Sequence, residues 1–321
     1  MTGPILSRPL KPFPCIAEAF SLHPNFWERR YRPNMRRSLF ITALLALLAS
    51  GVLAAQAQDV MSAHLQPQTV KAFSRYVSLT EARIEKQVAD PRNFLYVDQL
   101  PEPRRSQVLA ELKQGRIFMD RLDTRDASGS EIDAPGGLIH HWVGEVLIPG
   151  VSLRQVLDLV EDYNHHQDVY KPEVVRSRLL SRDGNDFKIF YRLVKHKVIT
   201  VTLDTEHDVR YTRVDDSHWY SRSVSTRIAE VADAGEPRER EKPVGHDGGF
   251  LWRLNSYWRF VERDGGVFVE CESISLTRDI PTGLGWMVGP FVTSVPKESL
   301  ERTLVSTRSA VLAKIAVART Q

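Results

Sequence analysis

With 43 Lys/Arg against 40 Asp/Glu in 321 residues, the chain carries a formal net charge of +3, but the excess is local. The first 57 residues hold seven of the basic and two of the acidic residues, which leaves 36 against 38 in the rest. That remainder has no basic arm and no block of like charge, so nucleic acid is excluded as an expected partner.

Residues 1–34 are rich in Pro and Arg and have no period. They are expected to lie upstream of the natural start, which is read at Met35. Met35-Arg36-Arg37 then opens a short basic region, Leu39 to Ala49 is apolar, and Ala55-Gln56-Ala57 has the form of a cleavage site. Residues 35–57 therefore read as a secretory signal peptide cut after Ala57, and the protein as exported, to the periplasm or the medium. The apolar run is shorter than the roughly 20 residues a spanning helix needs. Cys15 falls in the removed part and Cys271 stands alone, so no internal disulfide is expected.

Residues 58–122 read as a helical segment. Val70, Phe73, Val77, Ile84 and Val88 fall at helical spacing, and Asp90-Pro91 ends that run. A second helix is predicted from Pro101 to Gly115, with Val108, Leu109 and Leu112 on its apolar side. Residues 123–137 are rich in Asp, Ser and Gly and read as a linker.

The main domain is placed at 138–318. Its first strand is Leu138 to Ile148. Ser152 and Gln155 then form a capping box before the stripe Leu153, Val156, Leu157 and Val160. Strand patterns follow at 174–181, 187–196, 199–209, 219–231, 250–262 and 267–277, with a long polar loop at 232–249. Gly283 to Pro290 reads as a flexible apolar turn. Pro296 opens the last helix, with Leu300, Leu304, Thr307, Val311 and Ile315 as its stripe.

The strongest local signal is Asp264-Gly265 between the last two strands, a pair that suits a two-residue turn with φ > 0 at both positions. It sets Arg263 opposite Gly266, Arg259 opposite Glu270 and Trp258 opposite Cys271. One face then carries Trp252, Leu254, Trp258, Phe260, Val269 and Cys271. The other carries Arg253, Asn255, Tyr257, Arg259, Glu270 and Glu272, and is expected to meet solvent with its charges in cross-strand pairs.

Nothing in the chain demands catalysis. There is no Gly-x-Ser-x-Gly, His-Glu-x-x-His or Cys-x-x-Cys. His140 and His141 are neighbours on a strand and point to opposite faces. Asp162, His165, His166 and Asp168 read as solvated residues and not as metal ligands, and no cofactor is expected.

The order of strand, two short helices, six antiparallel strands and a long helix resembles the helix-grip fold of the START-like superfamily. So do HWVGEVLIPGVSLRQVLDLVEDY at the start of the domain and GWMVGPFVTSVPKESLERTLVSTRSAV at its end. FLWRLNSYWRF and ECESISLTRDIPTGLGW also resemble an exported bacterial subgroup with no assigned chemistry. The resemblance implies an α+β fold, with a curved seven-stranded antiparallel sheet around the C-terminal helix and an apolar cavity between them. Trp252, Leu254, Trp258, Phe260, Cys271, Trp286, Leu300 and Leu304 are then expected to line it, with Arg253, Tyr191, Tyr257 and Glu272 as candidate polar contacts. The implied partner is a hydrophobic, lipid-like molecule, held by a non-catalytic carrier or sensor with peripheral membrane contact. Two other readings stay open. One is a cyclase/aromatase- or hydrolase-type enzyme in the same cavity, and the other is an interaction module whose helical segment binds a partner. The oligomeric state is left open.

Overall fold

The computed structural model describes residues 62–318 apart from 281 and 284, so the predicted start and signal peptide lie outside the described residues. Helix α1 (Pro67–Val88) begins with Pro in its first turn and buries Phe73, Tyr76, Thr80, Ile84 and Gln87, all at spacings of three and four. Two short 3-10 turns follow, and then α2 (Arg104–Lys113), which buries Val108 and Leu112. Strands β1 (Phe118–Arg121) and β2 (Gly137–Pro149) come next. Helix α3 (Leu153–Val160) is closed by the predicted capping box, Ser152 with Gln155, and a single turn, α4 (His166–Val169), follows it.

The remaining long strands are β3 (Val174–Asp183), β4 (Asp186–His196), β5 (Thr200–Arg213), β6 (His218–Ala232), β7 (Arg253–Arg263) and β8 (Gly266–Arg278). Helices α5 (Gly285–Thr293) and α6 (Val295–Ala318) complete the described chain. All strand pairings are antiparallel, in the order β1-β2-β8-β7-β6-β5-β4-β3, and Arg240–Glu241 pairs with β6. The fold is the helix-grip fold, an α+β sheet gripping its C-terminal helix. The sheet has nine strands where seven were expected. The two additions are β1, with four residues, and Arg240–Glu241, with two, both too short to show alternation.

The hairpin register is the one predicted: Arg263 pairs with Gly266, Arg259 with Glu270 and Trp258 with Cys271. Asp264 and Gly265 have φ of 55° and 76°, as the tight turn requires. On the concave face, Val146, Ile148, Phe260 and Val269 pack with Leu300, Leu304 and Val311 of α6.

The convex face departs from expectation. It is not a solvent face but the floor of two further cores. Phe94, Leu95, Val97 and Val108 pack there on Val143, Leu147, Val261 and Phe268. Phe73, Tyr76 and Ile84 of α1 pack on Tyr257, Ile274 and Leu276. The Arg259–Glu270 pair exists, at 2.7 Å, but both side chains are fully buried beneath this layer.

The layer is wired to the sheet by polar groups. Arg259 donates to Glu272 Oε2 (2.7 Å) and to the Phe94 carbonyl (3.2 Å). Arg83 of α1 reaches Glu272. His141 Nε2 donates to Glu272 Oε1 at 2.7 Å, and its Nδ1 meets the Tyr76 hydroxyl at 2.9 Å. The Tyr96 amide donates to Glu270 at 2.5 Å. Buried charge persists only with such partners.

The expected flexible turn at 283–290 is largely helix α5. Val288, Phe291 and Val292 are buried against Val201, Leu203 and Phe250, and that burial outweighs the poor helix propensity of Gly289 and Pro290.

Candidate functional site

A cavity of about 250 Å³ lies between the concave face of the sheet and α6. It exists because the strands curve away from the helix while many inward positions are small. Ser223, Ser256 and Ser273 are direct neighbours across β6, β7 and β8, and all three line the floor. Apolar side chains make most of the remaining wall, among them Ile189, Leu203, Val209, Phe250 and Phe291.

The inner end is polar but uncharged. There the Tyr163 and Tyr211 hydroxyls meet at 2.9 Å, and Tyr211 also donates to the Val160 carbonyl at 3.2 Å. His166 Nδ1 lies 2.7 Å from the Tyr191 hydroxyl, and its Nε2 lies 3.3 Å from the Leu159 carbonyl, so Nε2 carries the proton and Tyr191 donates. Tyr170 meets Thr307 of α6 at 3.1 Å. Burial pushes the Tyr191 and Tyr163 hydroxyls well above the ordinary tyrosine range. It brings both His166 and His207 down to about 4. All four are therefore neutral at neutral pH.

The other end reaches the surface. Arg302, its side chain 47% exposed, is the one exposed residue of the described lining, and beside it stand Glu173, Lys195 and Ser299. Lys195 bonds to Glu173 and donates to Ser299 Oγ at 2.7 Å, while Arg302 Nη1 lies 3.1 Å from the same Glu173.

Of the residues expected at the cavity, Leu254, Trp258, Cys271, Leu300 and Tyr191 line it. Phe260 and Leu304 sit in the packed core beside it, Phe260 stacked on Trp258 with ring centres 6.1 Å apart. Trp252 is on the wrong side of the expected division. The strand begins only at Arg253, so its alternation does not extend back to Trp252, which joins the α1 core and donates to Asp247 at 3.1 Å. Trp286 is 68% exposed. Tyr257 and Glu272 lie under α1, where Tyr257 donates to Glu81 at 2.8 Å, and Arg253 turns back to the Trp252 carbonyl at 2.7 Å.

Apart from Tyr191, the tyrosine–histidine end was missed, and so was the ion cluster at the mouth. The signal for the first was in β5, where Leu203, Thr205, His207, Val209 and Tyr211 share one side and mix polar with apolar residues. Asp162 and His165 pair with each other at the surface, while His166 turns inward. Among the described residues no group of three or more His, Cys, Asp or Glu is placed to hold a metal ion.

No protein-family model and no curated protein matches the chain. Solved structures do. A STAR-related lipid transfer protein from Xanthomonas axonopodis is 17% identical, with 60% of this chain and 98% of that chain covered at a TM-score of 0.40. A START superfamily protein from Mycobacterium smegmatis is 10% identical, with 55% and 97% covered at 0.35. An aromatase/cyclase from Streptomyces is 11% identical, with 56% and 96% covered at 0.34. The helix-grip architecture itself rests on this chain's own strand order and closing helix.

Proposed function

We propose that the protein is an exported carrier or sensor of a hydrophobic, lipid-like small molecule held between the sheet and α6. The observation that carries this reading is the cavity, largely apolar, with an uncharged polar end and one side open to solvent. Concave apolar sites with a few convergent polar groups are the usual form of small-molecule sites. Native mass spectrometry after gentle extraction is expected to find a bound molecule. A protein that repeatedly emerges empty, and takes up nothing from a panel of lipids and quinones, overturns the reading. Export is tested by cell fractionation and sequencing of the mature N-terminus, which is expected at Gln58. A full-length cytoplasmic protein refutes it.

The His166–Tyr191 pair favours the second reading, an enzyme of cyclase/aromatase or hydrolase type in the same cavity. On that reading the molecule recovered from Tyr191→Phe differs from the one recovered from the parent. Identical molecules from both favour the carrier. The interaction-module reading has less to work with, because the apolar sides of α1 and α2 are already occupied by the sheet.

A further inference from the structure

We propose that the ligand is an amphipathic anion. Its head, a carboxylate or a phosphate monoester, seats at the cavity mouth against Lys195 and Arg302, and a single apolar chain or compact ring system fills the space behind. This rests on the cavity being a ligand site.

The two ends of the cavity differ in charge. At the inner end the titratable groups are tyrosines and histidines held neutral by burial, so nothing there can balance an ion. At the mouth two cations share one carboxylate: Glu173 bonds Lys195 through Oε2, and Arg302 Nη1 approaches its Oε1 at 3.1 Å. Both cations line the cavity, and so does Ser299 Oγ, which takes a second Lys195 proton at 2.7 Å.

The same residues also line a shallower groove of about 120 Å³ that continues outward. That groove adds Lys197 and Glu298, which pair at 2.5 Å, and His196. Among the described lining residues, the three cations Lys195, Lys197 and Arg302 thus stand against two carboxylates, Glu173 and Glu298, an excess of one positive charge at the mouth. Burial draws the Lys195 pKa downward while Glu173 opposes the shift, so a further anion would restore what desolvation removes. A guanidinium beside an ammonium matches the flat, two-oxygen edge of a carboxylate or phosphate.

Size narrows the class further. About 250 Å³ is slightly below the roughly 300 Å³ at which drug-sized pockets begin, which suits a single chain better than two.

The competing account is a structural clasp, in which Glu173, Lys195 and Arg302 do no more than tie the turn before β3 to β4 and α6. Titration calorimetry on the full chain separates the two accounts, with decanoate, decyl phosphate, decan-1-ol and decylamine as probes at low and physiological salt. The anions are expected to bind about 10–100-fold tighter than decan-1-ol, as one charge-assisted contact implies, with decylamine weakest and the gap narrowing in salt. Lys195→Met and Arg302→Met should each shrink the anion advantage, and Lys195→Arg should keep it. Glu173→Gln removes the competing carboxylate and should enlarge the advantage, whereas loss of a mere clasp would weaken all four probes alike. Preference for decanoate assigns a free acid, and preference for decyl phosphate a phosphate monoester. Decan-1-ol binding as tightly as the anions, or an advantage that falls in Glu173→Gln, overturns the proposal and leaves the cavity reading standing. If none of the four probes binds, this proposal falls, and the cavity reading is decided by the native mass spectrometry and the lipid and quinone panel.

Discussion

Replacing Arg259 with Met removes a guanidinium that has no solvent exposure and serves two carboxylates, Glu270 and Glu272, each 2.7 Å away and each fully buried. Breaking a buried pair from one side costs about 3–5 kcal/mol, because the other side stays buried without its partner. With two carboxylates stranded, the upper part of that range is expected at pH 8. In a domain of this size each kcal/mol moves the melting midpoint by about 2–4 °C, so a fall of roughly 8–20 °C is expected. The loss should depend on pH. Burial raises the Glu272 carboxyl, but the His141 hydrogen bond, Arg259 and Arg83 outweigh it and hold the group down to about 2. Burial also raises Glu270, with Arg259 opposing. Without Arg259 both pKa values climb. A carboxyl whose folded pKa is raised favours the fold at low pH, and that contribution is lost as pH rises above about 4.3, the ordinary glutamate value. The deficit of Arg259→Met should therefore be largest at pH 8 and shrink towards pH 5. Adding Glu270→Gln and Glu272→Gln to the same variant should recover most of it. Urea unfolding followed by tryptophan fluorescence reads this as a shift in midpoint at constant slope. A variant within 1 kcal/mol of the parent at pH 8, or a deficit that grows on acidification, refutes the reasoning.

Glu145 is fully buried opposite Glu270, and neither carboxylate oxygen has a hydrogen-bond partner among the described residues. Burial and the neighbouring Glu270 raise its pKa well above the ordinary value. Glu145→Gln should therefore be at least as stable as the parent at pH 8 and should flatten the decline in stability between pH 5 and 8; a less stable variant with an unchanged pH profile counts against it. At Gly144 a Cβ would lie 2.5 Å from Met119 Sδ and 2.6 Å from Leu304 Cδ1, so Gly144→Ala should cost about 1–3 kcal/mol by crowding the Met119 side chain of β1 and the Leu304 side chain of α6. An unchanged melting midpoint would show that the approach is looser than drawn. Trp258 lines the cavity and stacks on Phe260 without being sealed in the core. Trp258→Ala should lower stability by less than the roughly 3–5 kcal/mol of a core tryptophan and should act mainly on binding. Melts with and without decanoate test this, and a full core penalty with unchanged ligand stabilisation would reverse the assignment.

The parts of this fold that could be read from the sequence are those where one residue type answers one local demand. Asp264-Gly265 fixed the hairpin register because few other pairs accept positive φ at both turn positions. The Ser152–Gln155 box and the stripe of α6 were legible for the same reason. Alternation told which residues share a face, but not what each face meets. Arg259, Glu270 and Glu272 look like a solvent face in any sequence window, because their partners Arg83, Tyr96 and Phe94 lie more than 150 residues away. The cavity was implied by likeness to a fold and not by any local pattern. Its polar end draws Tyr163, His166, Tyr191, His207 and Tyr211 from four separate elements and loops, and no spacing rule links them.

The two faces of the last strands bear on each other through the pleat. Glu270 and Glu272 point into the buried charge cluster, and Cys271 between them points into the cavity. On β7, Tyr257 and Arg259 are tied to the N-terminal layer while Trp258 between them faces the cavity. An unfilled space between the sheet and α6 favours collapse of one onto the other. The strands are kept from closing by what grips them from behind. Arg259, Glu272, His141 and Arg83 fix β2, β7 and β8 against the N-terminal layer through directional bonds that tolerate little sliding. The buried charges outside the sheet thus fix the strands whose other side lines the cavity, and residues 62–122 help to set its shape.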